Sequence, residues 1–444
     1  MQSDNSPFGL RGYLIDAPEF GGLRGRPNGA VLIENGKISD VGDYDDLRRL
    51  RPNIQWADRR PAAIFPGLID CHTHLPQYSA VARGESELLP WLRQHIFPVE
   101  RDFTGPKART EAPQFFRELV RNGTTTVMAF AAIYEDSCEI GFEAARDSGI
   151  RAILGKMMMD IGSYGQIQPK KVLSISLLES ERLCRKWHRA EDGRLEYAFS
   201  PRFAVTCSEK MMRCAAELAA RLDAYLQTHL AENREELEKV HHLYLNARDY
   251  THVYEKCGML TAHTVLGHCI HLNPREIAAI AAAQSSVAHC PSSNLFLGGG
   301  LMKLDQLLKA GINVGLGSDV AGGPEVNMWQ VMRAAIEVQK ARTAYEPNLR
   351  PLRPSEAFYL GTHGGARALG KSKIIGTLDA GKEADLIVVD LTTLLPYENH
   401  NGLAKLAPED VIALCIYRGG PAANLETYVR GRRIYQAPGK TATV

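Results

Sequence analysis

The sequence predicts a (β/α)8 barrel joined to a small β domain that both ends of the chain build together. Three observations carry this reading. From about Pro66 to Gly370, eight strand-like runs alternate with helix-like ones. The two ends share a hairpin design that the middle lacks. No Gly-x-Gly-x-x-Gly follows the first of the eight runs, so a doubly wound open sheet, the alternative architecture, has no dinucleotide signature in its favour.

Taken in order, Gly29–Gly42 is two apolar runs around Asn35-Gly36, a tight hairpin signal. The first barrel strand is expected at Pro66–His72, running into Thr73-His74. The second to fourth follow at Thr124–Phe130, Ala152–Met158 and Leu195–Pro201. The fifth (Ala224–His229) and sixth (Thr264–His268) both end in histidine. The seventh is Ser286–His289, and the eighth, Asn313–Ser318, runs into Asp319. Helical patterns such as Asn233–Tyr244 and Asn327–Lys340 lie between or after these runs. Beyond the barrel, Ala384–Asp390 reads as a strand, and Thr427–Tyr435 repeats the hairpin design around Gly431. Isolated hairpins are marginal in water, so the terminal strands are expected to join. The expected division is residues 1–65 with 373–444 for the β domain and 66–372 for the barrel.

Composition narrows the class. The 444 residues are 45% hydrophobic and 23% charged, the balance of a globular protein with a sizeable core. With 52 basic and 51 acidic residues the net charge is +1, which gives no reason to expect a polyanion or a membrane surface as partner. Met1–Pro7 lacks the basic start and apolar run of a signal peptide, and no stretch approaches a membrane span. The nine cysteines include no Cys-x-x-Cys. They read as reduced thiols of a cytoplasmic protein, and a Cys-rich structural zinc site is excluded.

Barrel active sites form at the C-terminal ends of the strands. There the sequence places His72 and His74, which share a face of one strand, then His229, His268 and Asp319. Three neutral imidazoles and a carboxylate suit zinc and leave a position open for water. Glu232, three residues after His229, is placed to act as general acid and base toward that water, although a charge at the start of the helix Asn233–Tyr244 would explain it equally well on its own. The His-x-Glu and Pro-Cys-x-x-Cys signature of cytidine-type deaminases is absent. A second metal would need a bridging ligand, and the fourth strand end, Phe199-Ser-Pro-Arg-Phe203, has no lysine. Lys156 lies inside the third strand, so one metal is expected.

With these residues collected, the chain resembles the amidohydrolase superfamily. The resemblance rests on Pro66-Gly-Leu-Ile-Asp-Cys-His-Thr-His74, His268, Asp319 and Ala380-Gly-Lys-Glu-Ala-Asp385. Within it the chain is similar to the guanine deaminases, through His74-Leu-Pro-Gln-Tyr78, Leu89-Pro-Trp-Leu92, Phe97-Pro98, Asn122–Thr126, Ser200–Phe203, Gln227–Arg234, Ala288–Asn294 and Gly315–Gly323.

The resemblance implies a TIM-like metal-dependent hydrolase barrel with a small β-sandwich domain. It implies one Zn2+ per chain on His72, His74, His229 and Asp319. Glu232 would be the proton shuttle, with His268 and Asp319 assisting. Gln77, Trp91, Arg202 and Phe203 would contact a purine base. The implied reaction is hydrolysis of guanine to xanthine and ammonia in a cytoplasmic homodimer. On their own, Arg202 would be a surface ion pair and Phe203 a core aromatic. Three readings stay open: a deaminase of another aminopurine, a pterin or a triazine; a two-metal cyclic-amide hydrolase; and a catalytically silent barrel. His271 and His289 are expected to be structural. His363, where such segments more often carry an apolar residue, is expected to pack.

Overall fold

The computed structural model describes residues 6–84, 87–162, 169–396 and 402–439, so most of the opening Met1–Pro7 segment lies outside the described residues. The strands are β1 (Phe8–Glu19), β2 (Gly22–Glu34), β3 (Lys37–Asp43), β4 (Gln55–Pro66), β5 (Leu68–His74), β6 (Thr124–Phe130), β7 (Arg151–Gly155), β8 (Met157–Met158), β9 (Leu195–Pro201), β10 (Tyr225–Leu230), β11 (Thr264–His268), β12 (Ser286–His289), β13 (Val314–Leu316), β14 (Leu386–Val389), β15 (Asn424–Val429) and β16 (Arg432–Gln436). The chain divides into two compact units. One holds Met1–Ile69, Arg117–Thr126 and Asn327–Val444, and the other Asp70–Phe116 and Val127–Val326.

The first unit is built on one sheet in the order β16-β15-β14-β4-β1-β2-β3. All neighbours pair antiparallel except β1 and β4, which are parallel. Alternate residues point to one face, so Leu10, Leu14, Val31, Ile33, Ile64, Leu386 and Val388 share a core with Tyr428. Both expected hairpins form: Asn35 and Gly36 take φ of 51° and 77°, and Arg430 and Gly431 take 49° and 70°. The expected sandwich is one continuous hydrogen-bonded sheet that curls until its ends meet. The Gly36 carbonyl accepts from Ala384 N–H at 2.9 Å, and the Ala384 carbonyl accepts from Gly431 N–H at 3.0 Å. Register shifts between β1 and β2, at Gly12–Leu14 and at Asp16–Glu19, help the long strands bend. Phe65 at the end of β4 packs on Trp329 and Phe358, with ring centroids 5.6 and 5.7 Å away, which ties the helices Met328–Thr343 and Pro354–Leu360 to this unit.

The barrel strands follow the order β5-β6-β7-β9-β10-β11-β12-β13, with β8 pairing to β9. Pairing is parallel from β7 through β13. Strands β5 and β6 are buried along their whole length, as a strand covered on both faces should be. The third expected strand, Ala152–Met158, is two pieces interrupted at Lys156. The ring is nearly closed by Asp319 N–H, which donates to the His72 carbonyl at 2.9 Å.

Candidate active site

The site grows out of the strand ends. Asp70 on β5 is fully buried, and Oδ1 accepts from the backbone N–H groups of His72 and Ser318 at 3.2 and 3.0 Å. Its Oδ2 accepts from Ser318 Oγ at 2.5 Å. One carboxylate thus staples the start of the barrel to its end, directly beneath His72 and Asp319. Burial pushes its pKa up to about 6 against the pull of those bonds. Gly267 on β11 makes room for the first histidine: a Cβ there would stand 2.7 Å from the His72 ring.

His72 and His74 project side by side from β5. Their Nε2 atoms lie 3.3 and 3.2 Å from Asp319 Oδ1, and His74 Nε2 lies 3.1 Å from His229 Nε2. The ligand-capable atoms of these four buried residues all lie within 4.8 Å of one another. A tetrahedral ion with bonds of about 2.0–2.1 Å has ligand–ligand edges of about 3.3–3.4 Å, close to the spacings seen. The buried His72 Nε2 makes no hydrogen bond. His229 Nδ1 is 2.6 Å from the Arg202 carbonyl, so its proton sits there and the Nε2 lone pair faces the cluster. Burial drives His74 down to about 4 and His229 well below the usual histidine range. Burial opposes ionisation of Asp319, but the His72 and His74 rings beside it win and hold it well below the usual carboxylate range. Neutral imidazoles around an ionised carboxylate are the protonation states in which such residues ligate a divalent cation.

Glu232 and His268 stand beside this cluster. Glu232 Oε2 is 3.4 Å from His268 Nε2, which is 3.7 Å from Asp319 Oδ2, while His268 Nδ1 faces Asn294 Oδ1 at 3.0 Å. The helix Arg234–Leu243 is capped by Asn233 and Glu236, which form a reciprocal capping box. Glu236 also accepts from the Glu232 N–H at 2.8 Å. Helix capping is therefore done by other residues, and the Glu232 carboxyl is left to the pocket. Burial, then the Asp319 and Glu236 charges, raise its pKa well above the usual carboxylate range. Ala231, His268, Cys269 and Asp319 all take positive φ of 48–67°, backbone strain of the kind that collects at functional sites.

A pocket opens over these groups, with about 330 Å³ of empty space including its mouth. It is lined by His74, His229, Glu232 and Asp319 and by Gln77, Trp91, Arg202 and Phe203. Every residue expected at the site thus borders the pocket or, as with His72 and His268, touches one that does. Arg202 is buried rather than a surface ion pair. Trp91 Nε1 donates to the Arg83 carbonyl at 2.8 Å, which fixes its ring at the pocket wall. Other residues turn away: Lys156 bonds Ser176 Oγ and pairs with Glu179, both at 3.1 Å, on the helix Pro169–Trp187. His271 Nε2 is 2.6 Å from the Gly299 carbonyl. Neither His271 nor His289 lines the pocket. Sequence reasoning missed Glu100, a fully buried carboxylate between Gln77 and Arg202, and the apolar lining residues Leu88 and Leu297.

The description "Amidohydrolase family" matches residues 63–420, and "Imidazolonepropionase-like composite domain, bacteria" matches residues 29–50. The guanine deaminase of Escherichia coli K12 is 36% identical, over 98% of this chain and 99% of its own length. That of Homo sapiens is 34% identical over 83% of this chain and 82% of its own. The crystal structure of guanine deaminase from C. acetobutylicum with bound guanine in the active site superposes with a TM-score of 0.90. It is 29% identical, and the match covers 97% of this chain and all of that one. The chain belongs to the amidohydrolase family and, within it, to the guanine deaminases.

Proposed function

We propose that this chain hydrolyses guanine to xanthine and ammonia with one zinc ion held by His72, His74, His229 and Asp319. The observation that carries the reading is the one pocket that brings His74, His229 and Asp319 of this ligand set together with Glu232, Gln77, Arg202 and Phe203. When bound, such an ion supplies a water activated near neutral pH.

The remaining work falls to the chain's own residues. Glu232 takes a proton from the water and passes it to ring N3, with Asp319 assisting, as the oxygen adds to C2. His268, held through Asn294, steadies the oxygen while the C2–N bond breaks. The proton left on the added oxygen passes, by way of Glu232, to the departing nitrogen, which leaves as ammonia while the oxygen becomes the C2 carbonyl of xanthine. Arg202, which keeps its proton, donates to O6. Gln77 meets the purine edge, Phe203 lies along the ring, and Trp91 covers it.

The nine cysteines, all free, support a reducing, cytoplasmic setting, and no described helix is long and apolar enough to cross a membrane. A homodimer is part of the same reading, by resemblance to the family. The test is ammonia release from guanine, 2-aminopurine, a pterin and an aminotriazine, with metal content measured on the same protein. We expect guanine to be turned over fastest, with one zinc per chain. Preference for another ring, or two metals per chain, would overturn the reading.

A further inference from the structure

Glu100 lies on the short helix Phe97–Asp102, directly after the π-turn Leu92–Ile96, and is fully buried. Its two oxygens serve different partners. Oε1 accepts from Gln77 Nε2 at 2.8 Å, and Oε2 accepts from Arg202 Nη1. At its other end, Gln77 Oε1 accepts from the Ala321 N–H at 3.1 Å. A backbone N–H can only donate and a carboxylate can only accept, so these two neighbours settle which way the Gln77 amide faces. Along the edge that Glu100 organises, the Gln77 amide nitrogen and the Arg202 guanidinium are therefore both donors, and both residues line the pocket.

Two donors on one edge match a ring edge with two acceptors. Guanine presents O6 and N7, whereas a 6-amino purine presents a donor at position 6. A donor set against a donor leaves buried polar groups unpaired, and a site built that way rejects the wrong analogue strongly. We propose that Glu100 is a positioning residue that fixes this donor pair and thereby selects 6-oxo purines over their 6-amino counterparts. The proposal rests on the guanine reading above. Replacing Glu100 by glutamine leaves one carbonyl oxygen for two donors, so Gln77 or Arg202 must lose its anchor.

The test compares zinc-loaded wild type with Glu100→Gln on guanine and on 2,6-diaminopurine, which keeps the 2-amino leaving group and replaces O6 by an amine. Glu100→Gln should hold zinc like wild type. It should lose about tenfold or more in kcat/KM for guanine, mainly through KM, and the guanine-to-diaminopurine ratio should fall by about tenfold. A ratio that stays put, even with both rates lowered equally, makes Glu100 a merely structural residue and overturns the proposal. Should Glu100→Gln fail to fold, Glu100→Asp, which keeps the charge but draws it back by one methylene, is judged by the same ratio. Wild type that leaves guanine untouched overturns the underlying reading, and the proposal with it. Wild type that deaminates guanine beside a variant of unchanged ratio overturns the Glu100 proposal alone.

Discussion

Glu232 and Glu236 are four residues apart and both buried, yet their surroundings divide their roles. Glu236 is occupied by the Glu232 and Asn233 N–H groups and by Tyr250 Oη at 2.7 Å, a set of bonds that holds a helix start. Glu232 faces His268 and the pocket instead. Glu232→Gln keeps the shape and loses the proton carrier. It should bind zinc and guanine as wild type does while kcat falls by about 10² to 10⁴. Turnover within a few-fold of wild type would contradict the assigned role. At the same scale, His363 acquires a physical account. Its ring packs edge-on to Tyr359 at 5.8 Å, beside Gly376, where a Cβ would stand 3.0 Å from the His363 Cα. Burial, then Lys382 and Arg367, depress it from 6.5 to about 4 against the weaker pull of Asp379 and Asp16. The fold thus holds it neutral, while the unfolded chain takes up a proton below 6.5. Its stabilising contribution is full above pH 6.5 and is lost as pH falls toward 4. His363→Gln should therefore show a flatter melting temperature than wild type between pH 6.5 and 4, as followed by circular dichroism, and parallel curves would remove His363 as the cause.

The elements explain what could be read in the sequence and what could not. The clustering of the candidate ligands was legible because a strand end is a fixed address: parallel strands deliver their last residues to one rim of the barrel, so histidines at those ends converge. The two hairpins were legible because Asn35-Gly36 and Gly431 supply the positive φ that the turns demand. Strands β1 and β4 gave no such signal. β4 carries Asp58-Arg59-Arg60-Pro61 and is partly exposed there, so its apolar run is confined to the buried last residues that lead into the barrel's first strand. Glu100 was illegible for another reason. It is a lone acid on a short helix, and its partner Arg202 is 102 residues away, a separation that no local spacing encodes. Gly267 carries a test at this scale. Gly267→Ala places a methyl group against the His72 ring, so the variant should lose zinc affinity about tenfold or more by competition with a chelator. Unchanged affinity would mean that β11 yields and the ring does not need that space.

At the scale of the whole molecule, both units are assembled from separated stretches of chain, and the pocket residues all belong to one of them. The other unit's curled sheet was legible as a β domain, but the continuity of its seven strands was not, because the bond from Ala384 to Gly36 joins residues about 350 positions apart. The barrel unit holds the pocket, and the four candidate ligands all come from a single chain. The most direct test is therefore a titration of metal-free protein with zinc while xanthine formation from guanine is followed. Xanthine formation should rise in proportion to added zinc and level off at one equivalent per chain. No xanthine at any ratio, or a break at two equivalents, would contradict the account.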